Sequence, residues 1–325
     1  MRAAIGYGIG EICYNFSRPA GNVPSKVRRE GKTMKFGLIV NLSKPEAVQL
    51  AQELCVWGEV RNNPFLLLGD EARVLRRPEL PFERWRREVQ TALVIGGDGT
   101  FLKAAHRVRD TSISLFGICI GHLGFLANGD PQHIRQEILQ IEEGDFDLTR
   151  RYFLDASLKS TQGTRRIFAL NDFVLSKGIP ARLVSIDVSV NHKPMCQYRA
   201  DGLIISTPTG STAYALSAGG PIVPPTLDCM LLVPICAHTL YARPTLLAPS
   251  DRLICRPADG SELFITVDGD EVIPMSSHDF IEVTYSKERF INVIALPQFQ
   301  YYDLLHEKLM WGWNPVTERR PRHAQ

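Results

Sequence analysis

The sequence predicts an α/β N-terminal domain built on a parallel sheet, then a β-rich C-terminal domain, with a C-terminal helix returning to the first domain. Three observations carry this expectation. Between residues 34 and 145, continuous apolar runs alternate with segments of helical spacing, as in strands buried on both faces. From 146 onward the hydrophobic period becomes two and turn residues recur every few positions, the mark of short antiparallel strands. Near the end, Tyr302, Leu305 and Leu309 share one helical face on a segment too short to be stable alone, so it must dock.

Residues 1–33 show no periodicity and are rich in Gly, Pro and Arg; they read as an unstructured leader ahead of Met34. Phe36–Val40 is a buried-strand run. Ser43-Lys-Pro-Glu46 has capping-box spacing with Pro in the first turn, and Ala47, Leu50, Ala51 and Leu54 follow at helical intervals. Residues 61–90 are dense in Arg and Glu and support only a helix near 82–89. Ala92–Ile95 reads as a strand, Gly96–Thr100 as a tight loop and Phe101–Val108 as a helix. Leu115–Ile120 repeats the strand, followed by the loop Gly121–Phe125 and a helix carrying Ile134, Ile138 and Ile141.

In the second half, Leu154/Ala156/Leu158 and Val184/Ile186/Val188/Val190 alternate with polar neighbours, and Asn191-His-Lys-Pro194 reads as a hairpin turn. Segments 251–255, 262–267, 271–274, 279–285 and 289–294 read as separate short strands, with Asp268-Gly-Asp270 as one of the turns between them. The expected division is 34–145 for an α/β phosphate-binding domain, 146–295 for a β-rich domain and 296–325 for the docking helix and tail.

The 325 residues are 44% hydrophobic and 22% charged, the composition of a globular chain with a sizeable core. Net charge is +2, but six basic and two acidic residues fall in 1–33, leaving the body slightly acidic. That argues against nucleic acid as a partner. The longest apolar run, Met230–Ala237, contains Pro234 and is far short of the roughly 20 residues that span a bilayer, so no membrane is expected. Seven cysteines without a CxxC pair read as reduced thiols of a cytoplasmic protein. The eight histidines show no HxH or HxxxH pairing, which points away from a metal held by protein side chains alone.

Two segments carry chemistry. Gly96-Gly-Asp98-Gly-Thr100 sits where a strand ends and a helix begins, the place where open α/β sheets bind anions. It is neither GxGxxG nor a P-loop. A carboxylate among phosphates is repelled unless it meets a proton, a hydroxyl or a metal ion, so Asp98 reads as a base toward a substrate hydroxyl or as a turn-shaping Asp-Gly. Lys103, early in the helix, reads as a contact for a second phosphate or as a solvated lysine.

The other segment, Asp201–Pro221, leaves a strand into about fourteen residues of Thr, Ser, Gly and Pro, more than a turn requires. Its hydroxyls and backbone groups suit a purine or ribose, or a structural Ω-loop. Asn171-Asp172, closing the apolar run Ile167–Leu170, is a third candidate, though such pairs also make turns. Phe125 reads as core or ligand-facing.

Together, Gly96–Thr100, Asn171-Asp172 and Thr207-Pro-Thr-Gly-Ser-Thr-Ala-Tyr214 resemble the bacterial NAD kinase family in order and spacing, from about Lys35 to Gly312. Gly-Gly-Asp-Gly is shared with phosphofructokinases and diacylglycerol-type lipid kinases; the long hydroxyl-rich segment sets this chain apart. The resemblance implies transfer of the γ-phosphoryl group of ATP to the adenosine-ribose 2′-hydroxyl of NAD, giving NADP, with Mg²⁺ or another divalent ion and a homodimer or homotetramer. It implies Asp98 as proton acceptor and Gly96, Gly97, Gly99, Thr100 and Lys103 as phosphate contacts. Asn171, Asp172 and Thr212, Ala213, Tyr214, Ala215, Leu216 and Ser217 would hold the adenosine. Phe125 would lie in the dinucleotide pocket with Asp98 and Gly99, and Arg182, Arg199 and Asp201 would line the nicotinamide side. Two positions depart from the family pattern: Asp172 stands where Glu is common, and Ala200 where Gly or Ser is usual. A lipid kinase is disfavoured by the polar 206–217 segment, and a non-catalytic dinucleotide sensor by the intact Asp98.

Overall fold

In the computed structural model, residues 34–177, 183–239, 241–260, 262–299 and 301–310 are described; the extension over 1–33, Arg182 and the tail beyond 310 lie outside them. The apolar runs form β1 (Phe36–Val40), β2 (Thr91–Gly96) and β3 (Ser114–Cys119), paired in parallel. Around them lie α1 (Pro45–Val60), α2 (Gly69–Leu75), α3 (Phe82–Glu88) and α4 (Asp98–Val108). A short β4 (Ala127–Gly129) and α5 (Ile134–Glu142) complete this part.

One sheet face packs Leu38, Leu93 and Phe116 against Ala51 and Leu54 of α1 and Ile138 of α5; the other packs Val94 and Leu115 against Phe101 and Ala105 of α4. Covering on both faces is why these strands read as unbroken apolar runs. The capping box does not form: Pro45 fixes the first helical position and makes Lys44 the N-cap, while the Ser43 hydroxyl bonds Asn41 Oδ1 at 2.6 Å. The second helix, α2, falls in the stretch whose sequence revealed only α3.

The chain continues through β5 (Asp147–Ser160), β6 (Gly163–Ala169), β7 (Asp172–Lys177), β8 (Val184–Val190), β9 (Lys193–Ala200) and β10 (Gly202–Ser206). A 3₁₀ turn over Thr209–Thr212 and a four-residue α6 (Tyr214–Ser217) precede β11 (Met230–Ile235), β12 (Thr245–Leu247), β13 (Arg252–Pro257), β14 (Leu263–Val267) and β15 (Glu271–Met275). Strands β12-β11-β10-β7-β14-β15 make an antiparallel sheet. Its inner face, with Phe173, Leu175, Leu203 and Ile205, shares one core with Leu154, Ile186 and Val283 of the other sheet. The expected hairpin turn forms at Asn191 and His192, both with positive φ.

The two segments 279–285 and 289–294 are one strand, β16 (Phe280–Ala295), with an irregularity between Tyr285 and Phe290. Polar residues Ser286–Arg289 interrupt the hydrophobic pattern without ending the strand. β16 pairs with β5 along its length, with β13 near its start and in parallel with β3 near its end, so a single ten-stranded sheet runs through both halves. The final helix, α7 (Tyr301–Leu309), buries Leu304 and Leu305, whereas Tyr302 is exposed; its inner face is 301/304/305/308 rather than 302/305/309. Lys308 Nζ lies 4.3 Å from the centre of the Phe125 ring, which places α7 on the first domain's loop.

Candidate active site

Helix α4 begins at Asp98, one turn earlier than the sequence indicates, with Gly97 as N-cap. Thr100 and Phe101 N–H both donate to Gly97 O, leaving the Asp98 and Gly99 N–H groups free of intrahelical partners, as at any helix start. A Cβ on Gly97 or Gly99 would meet nothing within 4 Å, so this backbone faces open space. Gly96 differs: its Cβ would press on Thr100, and the turn closes only without one.

Asp98 is held by the following loop. Phe125 N–H donates to Oδ2 at 2.9 Å, and Leu126 and Ala127 N–H donate to Oδ1 at 3.0 and 3.2 Å. Oδ1 is thereby saturated while Oδ2 keeps an acceptor position. The loop comes this close because residue 124 is glycine; a Cβ there would lie 2.0 Å from Asp98 Oδ1. Lys103, expected near the phosphates, is exposed and lies 3.6 Å from Asp270. It stands beside a cleft of about 520 Å³ that Gly99, His106, Arg165, Arg166 and Phe168 also line.

A second carboxylate mirrors the first. Asp268, in the β14–β15 turn with positive φ, is 4% exposed. Its Oδ1 accepts from Asn171 and Asp172 N–H at 2.8 and 3.0 Å, and its Oδ2 from Leu170 N–H at 2.9 Å. The same Oδ2 lies 2.7 Å from His106 Nε2, two turns beyond Asp98 on α4. Sequence reasoning took Asp268-Gly-Asp270 for a plain turn; only the fold shows what the Asp268 carboxylate holds.

Asn171 and Asp172 adjoin the hydroxyl-rich segment. Thr207 N–H and Ser206 Oγ donate to Asn171 O at 2.9 and 3.0 Å, and Thr207 Oγ1 donates to Leu170 O. A Cβ at Gly210 would lie 2.3 Å from Asn171 O, so glycine lets the two backbones meet. Asn171 Oδ1 is buried without a partner. No donor among the described residues meets the buried Asp172 carboxyl, and burial, reinforced by Asp268, pushes its pKa up to about 7. Asn171 Oδ1 is dry and unsatisfied among the described residues, and the nearly buried Asp172 carboxyl has no donor there, which a bound hydroxyl or amine would correct.

The remaining predicted residues are spread along this wall. Tyr214 and Ser217 are exposed, with Thr212, Ala213 and Leu216 partly so. The Ala215 methyl is fully buried against Val174, Ile204 and Val223, so it packs α6 down and offers a ligand only backbone. Asp201 pairs with Lys177 Nζ at 2.5 Å, and Arg199 is exposed, its carbonyl accepting from His238 N–H. Arg182 lies outside the described residues. No helix among the described residues is long and apolar enough to cross a membrane.

Residues 36–146 match the family model of the ATP-NAD kinase N-terminal domain, and 170–295 that of the ATP-NAD kinase C-terminal domain. The chain is 38% identical over 280 residues to a NAD kinase of Symbiobacterium thermophilum, covering 85% of this chain and 98% of that one. It is 36% identical over 292 residues to a NAD kinase of Moorella thermoacetica, covering 88% and 93%. Among solved structures, yeast NADH kinase complexed with NADH superposes with a TM-score of 0.80 at 22% identity, over 93% of this chain and 95% of that one. An NAD kinase from Archaeoglobus fulgidus in complex with ATP gives 0.66 at 20% identity, over 85% and 99%. At such identities these two structures speak for the fold.

Proposed function

This chain belongs to the ATP-NAD kinase family, and from that membership we propose that it transfers the γ-phosphoryl group of ATP to the adenosine-ribose 2′-hydroxyl of NAD, giving NADP, with Asp98 accepting the hydroxyl proton. The observation that carries the role of Asp98 is its clamp: three backbone N–H groups hold the carboxylate at the start of α4, yet Oδ2 retains an acceptor position for a substrate hydroxyl.

Phosphoryl transfer asks for positioning and charge neutralisation more than for covalent chemistry. Gly96, Gly97, Gly99 and Thr100 receive the triphosphate at the helix start, with Lys103 at the rim. Asn171 Oδ1 and the Asp172 carboxyl take the adenosine ribose and base, on a wall completed by Thr212–Ser217. Phe125 is assigned to the edge of the dinucleotide pocket and Arg199 and Asp201 to its nicotinamide end, the role the resemblance also implies for Arg182, which lies outside the described residues.

In this reading a divalent ion comes with the ATP phosphates rather than being held by protein side chains alone. Bound there, it supplies charge neutralisation at the transferring group. In this reading 34–145 handles phosphate, 146–295 handles NAD, and the helix Tyr301–Leu309 closes onto the first domain, in a cytoplasmic homo-oligomer.

The test is to supply ATP, Mg²⁺ and NAD to the purified chain and detect NADP with a dehydrogenase strictly dependent on it. Asp98→Asn should lower kcat by about 10²-fold or more while NAD binding is largely kept. Undiminished turnover in that variant removes Asp98 from the role of base.

A further inference from the structure

Behind the Asp98 clamp lies a second cavity of about 220 Å³, lined among others by Phe125, Leu126, Thr149, Arg151, Pro225 and Tyr301. Thr149 and Arg151 alternate on one face of β5 and so point the same way. Arg151 Nε is buried without a hydrogen-bond partner, and among the described residues no carboxylate comes within ion-pair distance of its guanidinium. Its electrostatic neighbours are the hydroxyls of Tyr301 and Tyr285; Tyr285 donates to Asp228 Oδ1 at 3.0 Å, while among the described residues Tyr301 makes only a long 3.5 Å bond to Val223 O that it could exchange for an anion. Asp147 also lines the cavity but stands four residues along an extended strand, roughly 13 Å away. Burial lowers the Arg151 pKa to about 10, so it still carries its charge at neutral pH.

Arg151 as a whole is half-buried, with its Nε shielded from water; a cation so placed, with no counter-charge among the described residues, is costly, and a fixed guanidinium fork fits the oxygens of a carboxylate or phosphate. The cavity has room for several water volumes. We propose that Arg151 and the Tyr301 hydroxyl form an anion site, adjoining the proposed dinucleotide pocket at Phe125 but holding neither NAD nor ATP, that takes a small carboxylate or phosphate. The site shares a wall with the catalytic loop: Phe125 and Leu126 line it with their side chains while their N–H groups hold Asp98. An anion there pins the loop from behind and steadies the Asp98 carboxylate. That consequence rests on the proposed role of Asp98, whereas anion binding itself does not.

The experiment measures melting temperature and calorimetric binding on the full chain in a low-salt amine buffer, with inorganic phosphate in one arm and succinate in the other. At least one anion should raise the wild-type melting temperature saturably, beyond potassium chloride at equal ionic strength. Arg151→Met should abolish that response without melting below the ligand-free wild type, because it removes an unpaired buried charge. Tyr301→Phe should weaken anion affinity several-fold and serves if Arg151→Met does not fold. Equal anion responses in wild type and variants overturn the proposal, as does a wild type indifferent to both anions. A rise of about tenfold or more in KM for NAD in Arg151→Met also overturns it, since the cavity would then belong to the substrate site. Anion binding with no NADP formation would instead count against the kinase reading alone.

Discussion

His106 Nε2 stands 2.7 Å from Asp268 Oδ2, joining a helix of the first domain to a turn of the second. Through this contact α4 touches both functional regions: Asp98 lies in its first turn, and Asp268 holds the backbone of Leu170, Asn171 and Asp172. The distance from Asp98 to the Asn171–Asp172 pair is therefore set by one rigid helix and two carboxylates, each gripping three consecutive N–H groups.

Removing the Asp268 carboxylate should misplace the substrate-binding pair before it harms the chemistry. For Asp268→Ala we expect KM for NAD to rise about tenfold or more and stability to fall by about 1–3 kcal/mol, since three buried N–H groups lose their acceptor. His106→Gln, which keeps a donor toward Asp268, should stay near wild type. If Asp268→Ala leaves KM unchanged, Asp268 does not position Asn171 and Asp172.

Two glycines permit the close approaches in the site. Gly124→Ala would drive a methyl into Asp98 Oδ1 and should lower kcat with little change in NAD affinity, whereas Gly210→Ala would press on Asn171 O and should raise KM instead. Steady-state kinetics of the two variants separate the effects; identical profiles would contradict the division of labour.

Asp172 should leave a pH signature on stability. Its carboxyl titrates near 7 folded and near 3.9 unfolded, so the folded chain binds the proton more tightly. The resulting stability is fully present below about pH 4 and is lost as pH rises toward 7. Asp172→Asn should flatten this slope and stabilise the ligand-free protein more at pH 8 than at pH 5, by a few kcal/mol at most, while weakening NAD binding about tenfold. Parallel pH–stability curves for wild type and variant would refute the titration.

Chelation should separate turnover from folding. With EDTA in excess, NADP formation should fall to background while the melting temperature of the ligand-free chain stays within about 1 °C, because an ion that binds only with the phosphates adds nothing to the free protein's stability. A large drop in melting temperature would reveal a structural metal.

The sequence by itself determined whatever depends on neighbours in the chain. Strands Phe36–Val40 and Thr91–Gly96 were legible because burial on both faces leaves an unbroken apolar run, and Val184–Val190 because half-burial leaves a period of two. Asp98, Asn171, Asp172 and the hydroxyl-rich segment were legible because glycine and hydroxyl spacing is local. Tertiary structure alone decided what joins distant residues: the Asp98 clamp spans 27 to 29 positions and the His106–Asp268 contact 162. It also decided that β16 continues through Ser286–Arg289 to unite the two halves of the sheet, since a strand's length depends on its partners as much as on its own pattern. Arg151 belongs to the same class: its sequence neighbours predict a strand residue, and only the packing around it reveals a cation with no counter-charge among the described residues. Side-chain contacts to backbone follow from the packing of elements and leave no periodic trace in sequence, which is why candidate residues could be named in advance and the groups that hold them could not.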